Sequence, residues 1–249
     1  MKLGIVIQAR TGSTRLPNKI LKKFYGEMTI LDLLLENIKS KFSEIPIILA
    51  TSTNQKDFIL EGIAEKYSIN FYQGSENNVL KRFIDVGNKF ELTHLVRICS
   101  DNPFLNMSFI KYLIDYLDSP TIDYLSFSNH LGIPVIRTHI GLFAEIVSIE
   151  ALLKTDKSQN DILYQEHVTN YIYSHPEKFN VVLKPSPIEV YSRDDIRLTV
   201  DDIDDFENLS ELYRVVYNNK DDLSFLVNLI DSNEDFKIKM INNIKKYTK

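Results

Sequence analysis

The stretch Leu3-Gly4-Ile5-Val6-Ile7-Gln8-Ala9-Arg10-Thr11-Gly12-Ser13-Thr14-Arg15-Leu16-Pro17-Asn18-Lys19 passes directly from an apolar run to a basic segment containing glycine. The run from Leu3 to Ile7 is apolar without alternation, which points to a strand buried on both faces and therefore to a parallel sheet. Similar short runs at Pro46 to Ala50, Ile69 to Tyr72 and Leu95 to Cys99 are separated by helix-like stretches. In Asn106 to Leu117 the apolar residues Phe109, Ile110, Leu113, Ile114 and Leu117 recur at intervals of three and four, as a helix packed on a sheet requires. Ile30 to Ile38 and Phe58 to Ala64 carry the same pattern. Strand and helix alternate, so the expected fold is α/β: a Rossmann-like, doubly wound, mainly parallel sheet flanked by helices.

From Thr121 to Pro187 the alternation loosens. Candidate strands at Tyr124 to Ser128, Ala144 to Ile149 and Val181 to Lys184 surround a helix at Ile162 to Ser174. This region, about 121–187, reads as a small α+β lobe inserted over the sheet edge, expected to cover an acceptor and to offer contacts for a homodimer. Beyond Leu198-Thr199-Val200 and the acidic run Asp201-Asp202-Ile203-Asp204-Asp205, helices are expected near Phe206 to Tyr217, Leu223 to Ile230 and Glu234 to Tyr247. The basic residues Lys237, Lys239, Lys245, Lys246 and Lys249 read as a solvated helix face.

Composition narrows the partners. A length of 249 residues fits one domain, taken as 1–249 with the lobe inserted in it. Apolar residues at 44% and charged residues at 25% describe an ordinary folded chain. Lys plus Arg number 29 against 34 Asp plus Glu, a net charge of -5, which disfavours nucleic acid as a partner. The single cysteine, Cys99, excludes an intrachain disulfide and is expected in the core. The amino-terminal apolar run is too short for a signal peptide or a membrane span, so a cytoplasmic protein without membrane contact is expected.

The basic segment suits a triphosphate. Ligands of doubly wound sheets bind beyond the carboxyl ends of the strands, where this segment lies. Gly12 lets the backbone approach an anion, the amides of Gly12, Ser13 and Thr14 can form a nest, and Arg10, Arg15 and Lys19 supply positive charge. A Walker loop is absent from the sequence, and Gly12 stands alone where a dinucleotide fingerprint needs three glycines.

These residues resemble the amino-terminal signature of the nucleotide-sugar cytidylyltransferases, which include the CMP-sialate and CMP-Kdo synthetases. The form Gln-Ala-Arg-x-Gly-Ser-x-Arg-Leu-Pro-x-Lys is most similar to the SpsF branch. The resemblance runs from about Leu3 to Leu209 and recurs in separate places. Ala50-Thr51-Ser52-Thr53 resembles the family's second strand end, and Asn78-Val79-Leu80-Lys81-Arg82-Phe83 its D-V-L-x-R-[FY] helix. Arg97 to Pro103 resembles its R-x-x-x-D-x-P loop, Gln165 to Tyr171 its R-E-H-V-T-x-Y segment, and Arg197-Leu198-Thr199-Val200-Asp201 its R-L-T-V-D end strand.

The resemblance implies a Mg²⁺-dependent enzyme that transfers CMP from CTP to a sugar acid or sugar-like acceptor, releasing pyrophosphate. It implies a nucleotide site built from Gln8, Ala9, Arg10, Gly12, Ser13, Thr14, Arg15, Lys19, Thr51, Arg82, Arg97 and Asp101. Arg10, Arg15, Lys19, Asp101 and His167 are the expected catalytic set, Asp101 and Asp201 the metal ligands, and Glu145, Glu166 and His167 the acceptor contacts.

Physical readings of the same residues leave alternatives. Asp101 and Asp201 follow buried apolar runs, and two such carboxylates can share one Mg²⁺ with phosphate oxygens and water. Asp101 can instead cap the helix near Phe109, Asp201 can cap the next helix, and Asp204 is the second choice of ligand there. Arg97 either enters the site or pairs with an acidic neighbour. His167 either serves as general base or orders the lobe. Phe143 stands where the branch usually has Asp, so only Glu145 of that motif carries over. Two rival functions remain at this stage, a glycosyltransferase that uses a nucleotide-sugar and a noncatalytic nucleotide-binding subunit. A glycosyltransferase has no triphosphate tail for the basic segment to hold.

Overall fold

Ile5 and Ile7 face one side of a sheet and Val6 the other, and all three are fully buried. That two-sided burial is the physical basis of the architecture in the computed structural model, which describes residues 1–159 and 161–247. The strands are β1 (Leu3–Gln8), β2 (Lys23–Tyr25), β3 (Met28–Thr29), β4 (Ile47–Ser52), β5 (Asn70–Gly74), β6 (His94–Cys99), β7 (Tyr124–Ser128), β8 (Glu145–Ser148) and β9 (Val181–Pro185). The helices are α1 (Ile30–Lys41), α2 (Ile59–Lys66), α3 (Val79–Lys89), α4 (Met107–Tyr116), α5 (Ile149–Ser158), α6 (Ile162–Glu166), α7 (Asn170–Ser174), α8 (Ile188–Tyr191), α9 (Ile203–Val216), α10 (Leu223–Ser232) and α11 (Glu234–Lys246).

Seven strands form one sheet in the order β5-β4-β1-β6-β8-β7-β9, with β2 and β3 a separate small ribbon. β5, β4, β1 and β6 are parallel, β8 is antiparallel to β6 and β7, and β9 is parallel to β7. One face packs on α1, α2, α4, α9 and α10 through residues such as Ile38, Leu60, Leu113, Leu212 and Ile230. The other packs on α3, α5 and α7 through Phe83, Leu152 and Ile172. The expected doubly wound fold is therefore present.

The 121–187 segment adds its three strands to the main sheet instead of forming a separate layer over the edge. Tyr124 and Val147 are fully buried on the same face as Val6, which leaves these strands no second core of their own. The expected helix over Ile162 to Ser174 is broken into α6 and α7. Val168 is fully buried and the Thr169 hydroxyl donates to Glu145 at 2.8 Å, so the chain is drawn down onto the sheet between the two helices. α5 was not anticipated. Its N-cap Ser148, which accepts from the Ala151 amide, begins within the run read as continuous strand.

The expected end strand at Arg197 to Val200 is an extended segment with two defining bonds. The Leu198 amide donates to the His139 carbonyl and the Val200 amide to the Asp101 carbonyl, each at 2.9 Å. Gly141 makes this packing feasible: its φ is +66°, and an added Cβ would lie 2.7 Å from the Leu198 carbonyl oxygen. The cap roles also fall elsewhere than expected. Asn106 caps α4 and Asp202 caps α9, which leaves Asp101 and Asp201 out of both, while Asp204 is exposed beside Lys246. On α11, Lys237 pairs with Asp195 and Asp231, and Lys246 with Asp202; Lys249 lies outside the described residues.

Candidate active site

The segment after β1 is shaped by a buried carboxylate that its own sequence does not contain. Asp57, 2% exposed, accepts from the Thr11 amide at 2.7 Å, the Thr11 hydroxyl at 2.6 Å and the Ser52 hydroxyl at 2.5 Å. Burial pushes this carboxyl up, yet the bonds from Ser52 and Thr11 outweigh it and hold it below the ordinary 3.8. The Asn18 and Ser13 amides both donate to the Thr11 carbonyl at 3.0 Å, which curls the chain so that Ser13, Thr14, Arg15 and Lys19 face one side.

They line a cavity of about 200 Å³ together with Arg10 and Asp101. Arg10 is exposed at its mouth. Gln8 is a half-buried wall residue whose Oε1 accepts from Arg97 Nη2 at 3.1 Å.

At the inner end of this cavity, Lys19 Nζ donates to Asp101 Oδ2 at 3.0 Å and to the Val200 carbonyl at 2.6 Å, and it lies 3.9 Å from Asp201 Oδ1. Arg15 Nη2 reaches Asp201 Oδ1 at 2.8 Å. The two carboxylates converge because the Val200 amide is bonded to the Asp101 carbonyl, which sets the ends of two separate segments side by side. Asp201 is fixed from behind by Arg197, which is fully buried, donates to Asp201 Oδ2 at 2.7 Å and forks onto both oxygens of Asp205. Both carboxylates lie beside the Lys19 ammonium, and with that ammonium moved onto phosphate they would suit a hard divalent ion that completes its shell with phosphate oxygens and water. Among the described residues no group of three or more His, Cys, Asp or Glu side chains gathers to hold a metal, so the donor set fits shared coordination with a polyphosphate rather than a closed cage.

A second cavity of about 410 Å³ lies on the other side of this carboxylate pair, and Cys99, Asp101 and Asp201 border both. Its walls include Arg97, Arg137, Thr138, His167, Asn170 and Tyr173. Cys99 is a half-buried wall residue rather than a core one. Arg97 Nε and Thr199 Oγ1 are buried here without a hydrogen-bond partner, the kind of unsatisfied group that asks for a ligand or water.

Several expected contacts are not at a cavity wall. Glu145 is 1% exposed and its carboxylate accepts from Arg97 at 2.6 Å, Tyr124 at 2.6 Å and Thr169 at 2.8 Å. It sits opposite Arg97 in the β6–β8 register, so it is a counter-ion beneath the cavity and not an acceptor contact. Burial and the adjacent Glu145 push the Tyr124 hydroxyl well above its ordinary range. Arg82 is 1% exposed and its guanidinium donates to the Ser75 carbonyl at 2.5 Å and to the Glu76 carbonyl at 3.4 Å. That bonding ties down the loop before α3, and Arg82 is not among the residues that line either cavity. Thr51 is fully buried on β4, and Ala9 is buried with its amide on the Ala50 carbonyl. Glu166 is exposed on α6 outside both cavities, whereas His167 lines the larger one. Gly12 is exposed with open space around its α-carbon.

Asp57, Arg137, Tyr173 and the clamp role of Arg197 escape sequence reasoning. Asp57 acts on Thr11, forty-six residues away, Arg137 and Tyr173 reach the cavity wall only through the fold, and the bonds of Arg197 to Asp201 and Asp205 arise in an extended segment whose side-chain spacing does not announce them. Asp57→Ala should strand the Thr11 and Ser52 donors and cost about 1–3 kcal/mol at neutral pH. Because the folded-state acidity of Asp57 lies below its unfolded 3.8, that contribution is complete above about pH 4 and is lost as pH falls through the lowered value. Urea unfolding of both proteins between pH 3 and pH 7 checks this: a constant gap across the range would contradict it.

A basic cavity and a larger one meeting at strand-end carboxylates, on a mostly parallel sheet, define a Rossmann-like nucleotidyltransferase. The chain belongs to the cytidylyltransferase family, which it matches over residues 4–229. The spore coat polysaccharide biosynthesis protein SpsF of Bacillus subtilis strain 168 is 31% identical over 236 residues, covering 92% of this chain and 94% of that protein. A solved cytidylyltransferase from Leptospira borgpetersenii serovar Hardjo-bovis, strain JB197, superposes with a TM-score of 0.81 at 29% identity, covering 95% of this chain and 97% of the other. The solved CMP:2-keto-3-deoxy-manno-octonic acid synthetase complexed with CTP shares the fold with a TM-score of 0.65 at 15% identity, covering 86% and 99%. The resemblance read from the amino-terminal signature and the five later motifs is thus confirmed at the level of family and fold. No helix among the described residues is long and apolar enough to cross a membrane.

Proposed function

We propose that this nucleotidyltransferase moves CMP from CTP to a small sugar-like acceptor and releases pyrophosphate, as one cytoplasmic step in the biosynthesis of a surface polysaccharide or glycan. The observation that carries the reading is the shared border: Asp101 and Asp201 belong both to the basic cavity and to the larger one. The spore coat polysaccharide relative and the CTP-bound synthetase fold support this choice of reaction and nucleotide.

In this reading Arg10, Arg15 and Lys19 bind the β- and γ-phosphates and neutralise charge on the departing pyrophosphate. To do so, Lys19 and Arg15 exchange their carboxylate partners for phosphate oxygens. Asp101 and Asp201 would hold Mg²⁺, which when bound supplies charge neutralisation at the α-phosphate. The acceptor would occupy the larger cavity, from which its oxygen attacks that phosphorus as pyrophosphate leaves. His167, on its wall, would accept the acceptor proton. Positioning and charge carry the catalysis, so a covalent enzyme intermediate is unnecessary.

Pyrophosphate release measured with CTP, UTP, ATP and GTP against a panel of sugar acids and sugar phosphates tests this directly. Release only with CTP is expected, and UTP used equally well would remove the cytidyl assignment. A pair of variants assigns the two cavities. Lys19→Ala should raise the KM for CTP by about 10- to 100-fold, the loss of a charge-assisted contact, with little change in the acceptor KM. His167→Ala should lower kcat or raise the acceptor KM. An effect of His167→Ala confined to CTP would reverse the assignment.

A further inference from the structure

The last turn of α11 lies beyond the family-matched residues 4–229, yet it reaches back to the basic segment. The Tyr247 ring lies 4.6 Å from the Arg15 guanidinium and 5.4 Å from that of Arg197. Its hydroxyl donates to Asp202 Oδ2 at 2.8 Å, an oxygen that also accepts from Lys246 Nζ at 2.8 Å. One turn earlier, Asn243 Nδ2 donates to Asp202 at 3.1 Å and to Asp205 at 2.8 Å. Asp205, whose amide donates to Asp202, in turn meets Asp201 through the Arg197 clamp and the bond from the Asp201 amide. The end of α11 is therefore bolted to the first turn of α9, and its aromatic ring projects from that anchor to the mouth of the small cavity.

Arg15 needs such support. Its side chain is 44% exposed and its ion pair is with Asp201, a carboxylate that must be released when a polyphosphate arrives. A long side chain that loses its partner regains rotamer freedom, which weakens any new contact it makes. A π face beneath the guanidinium restricts that freedom without competing for the planar N–H donors, which remain available for phosphate oxygens.

We propose that Tyr247 is a positioning residue for nucleotide binding: its ring holds the Arg15 guanidinium at the triphosphate cavity, and its hydroxyl, on Asp202, fixes the ring. The proposal rests on the reading of the basic segment as a triphosphate site. It adds to that site a residue that the family match does not reach, so the grip on the nucleotide depends on α11 being docked.

Steady-state kinetics with CTP and calorimetry with inorganic tripolyphosphate, on the full chain, test it. Tyr247→Ala and Tyr247→Leu should each raise the KM for CTP and weaken tripolyphosphate binding by about 2- to 5-fold, the value of a partly exposed cation–π contact. The kcat and acceptor KM should stay near wild type, and Tyr247→Phe should restore most of the loss. In an Arg15→Ala background the same Tyr247 changes should have no further effect on CTP, because the two residues act as one unit. Thermal unfolding of each variant separates this from a loosened helix, which would lower the midpoint and disturb both substrates. An unchanged CTP constant in folded Tyr247→Ala and Tyr247→Leu, or an equal added loss in the Arg15→Ala background, overturns the proposal while leaving the CTP site intact. Wild-type protein that binds neither CTP nor tripolyphosphate overturns the triphosphate reading itself, and this proposal with it.

Discussion

In the Asp101→Asn protein, turnover of CTP should fall by about 10²- to 10³-fold, equivalent to several kcal/mol of lost charge stabilisation, in a molecule that stays folded. The change keeps the shape of the side chain and removes one formal charge from the point where Asp101 and Asp201 converge. Its structural cost is small, since Asp101 is 32% exposed and its ion pair with Lys19 is of a kind worth about 0–1 kcal/mol. Raising the magnesium concentration should recover part of the turnover if weakened ion binding is the cause. Asp201→Asn should lose activity similarly but also lose stability, because Asp201 neutralises Arg197, which is fully buried. Asp205 remains on Arg197, so that loss should be moderate, about 1–3 kcal/mol. Activity and thermal midpoint measured on the same samples separate the two effects. Near-normal turnover in folded Asp101→Asn protein would remove the metal-ligand role proposed for Asp101.

The difference between these two aspartates shows what the sequence could and could not convey. The strands β1, β4 and β6 are legible because each is an apolar run buried on both faces, and burial is written in residue type; β5, at the sheet edge, is only half-buried and is legible from the short apolar run at Ile69 to Tyr72. The convergence of Asp101 with Asp201 is hinted at by their positions after apolar runs. The device that produces it is not legible, because a backbone bond from Val200 to Asp101 leaves no mark on side-chain identity.

Sequence reasoning also overestimates how many polar residues of a recognised motif face a ligand. Arg82 and Glu145 lie in recognisable stretches, but each is 1% exposed and satisfied from within the protein. A polar residue on a buried strand or helix face can support a site from behind as readily as it can touch a substrate, and only the fold distinguishes the two. The reverse error concerns Asp57. It sits in an unremarkable turn after β4, and its importance comes from Ser52 and above all from Thr11, a residue forty-six positions earlier.

Glu145→Ala provides the sharpest separation of those roles. As a counter-ion, Glu145 is expected to cost about 3–5 kcal/mol when removed, because Arg97 is left charged and buried with only Gln8 nearby. The Tyr124 and Thr169 hydroxyls lose their acceptor in the same stroke. For a chain of this size that corresponds to a fall in thermal midpoint of roughly 6–20 °C. As an acceptor ligand it would behave differently, with a higher acceptor KM and an unchanged midpoint. Glu145→Gln keeps the volume and one accepting oxygen, so it should fall between wild type and Ala. The double substitution Arg97→Met with Glu145→Leu removes both charges together, and it should regain part of the stability lost by Glu145→Ala because an apolar pair no longer strands a buried cation. If the double variant were instead less stable than Glu145→Ala alone, the stranded charge of Arg97 would not be the source of the loss, and the cost would have to lie in the Tyr124 and Thr169 hydroxyls.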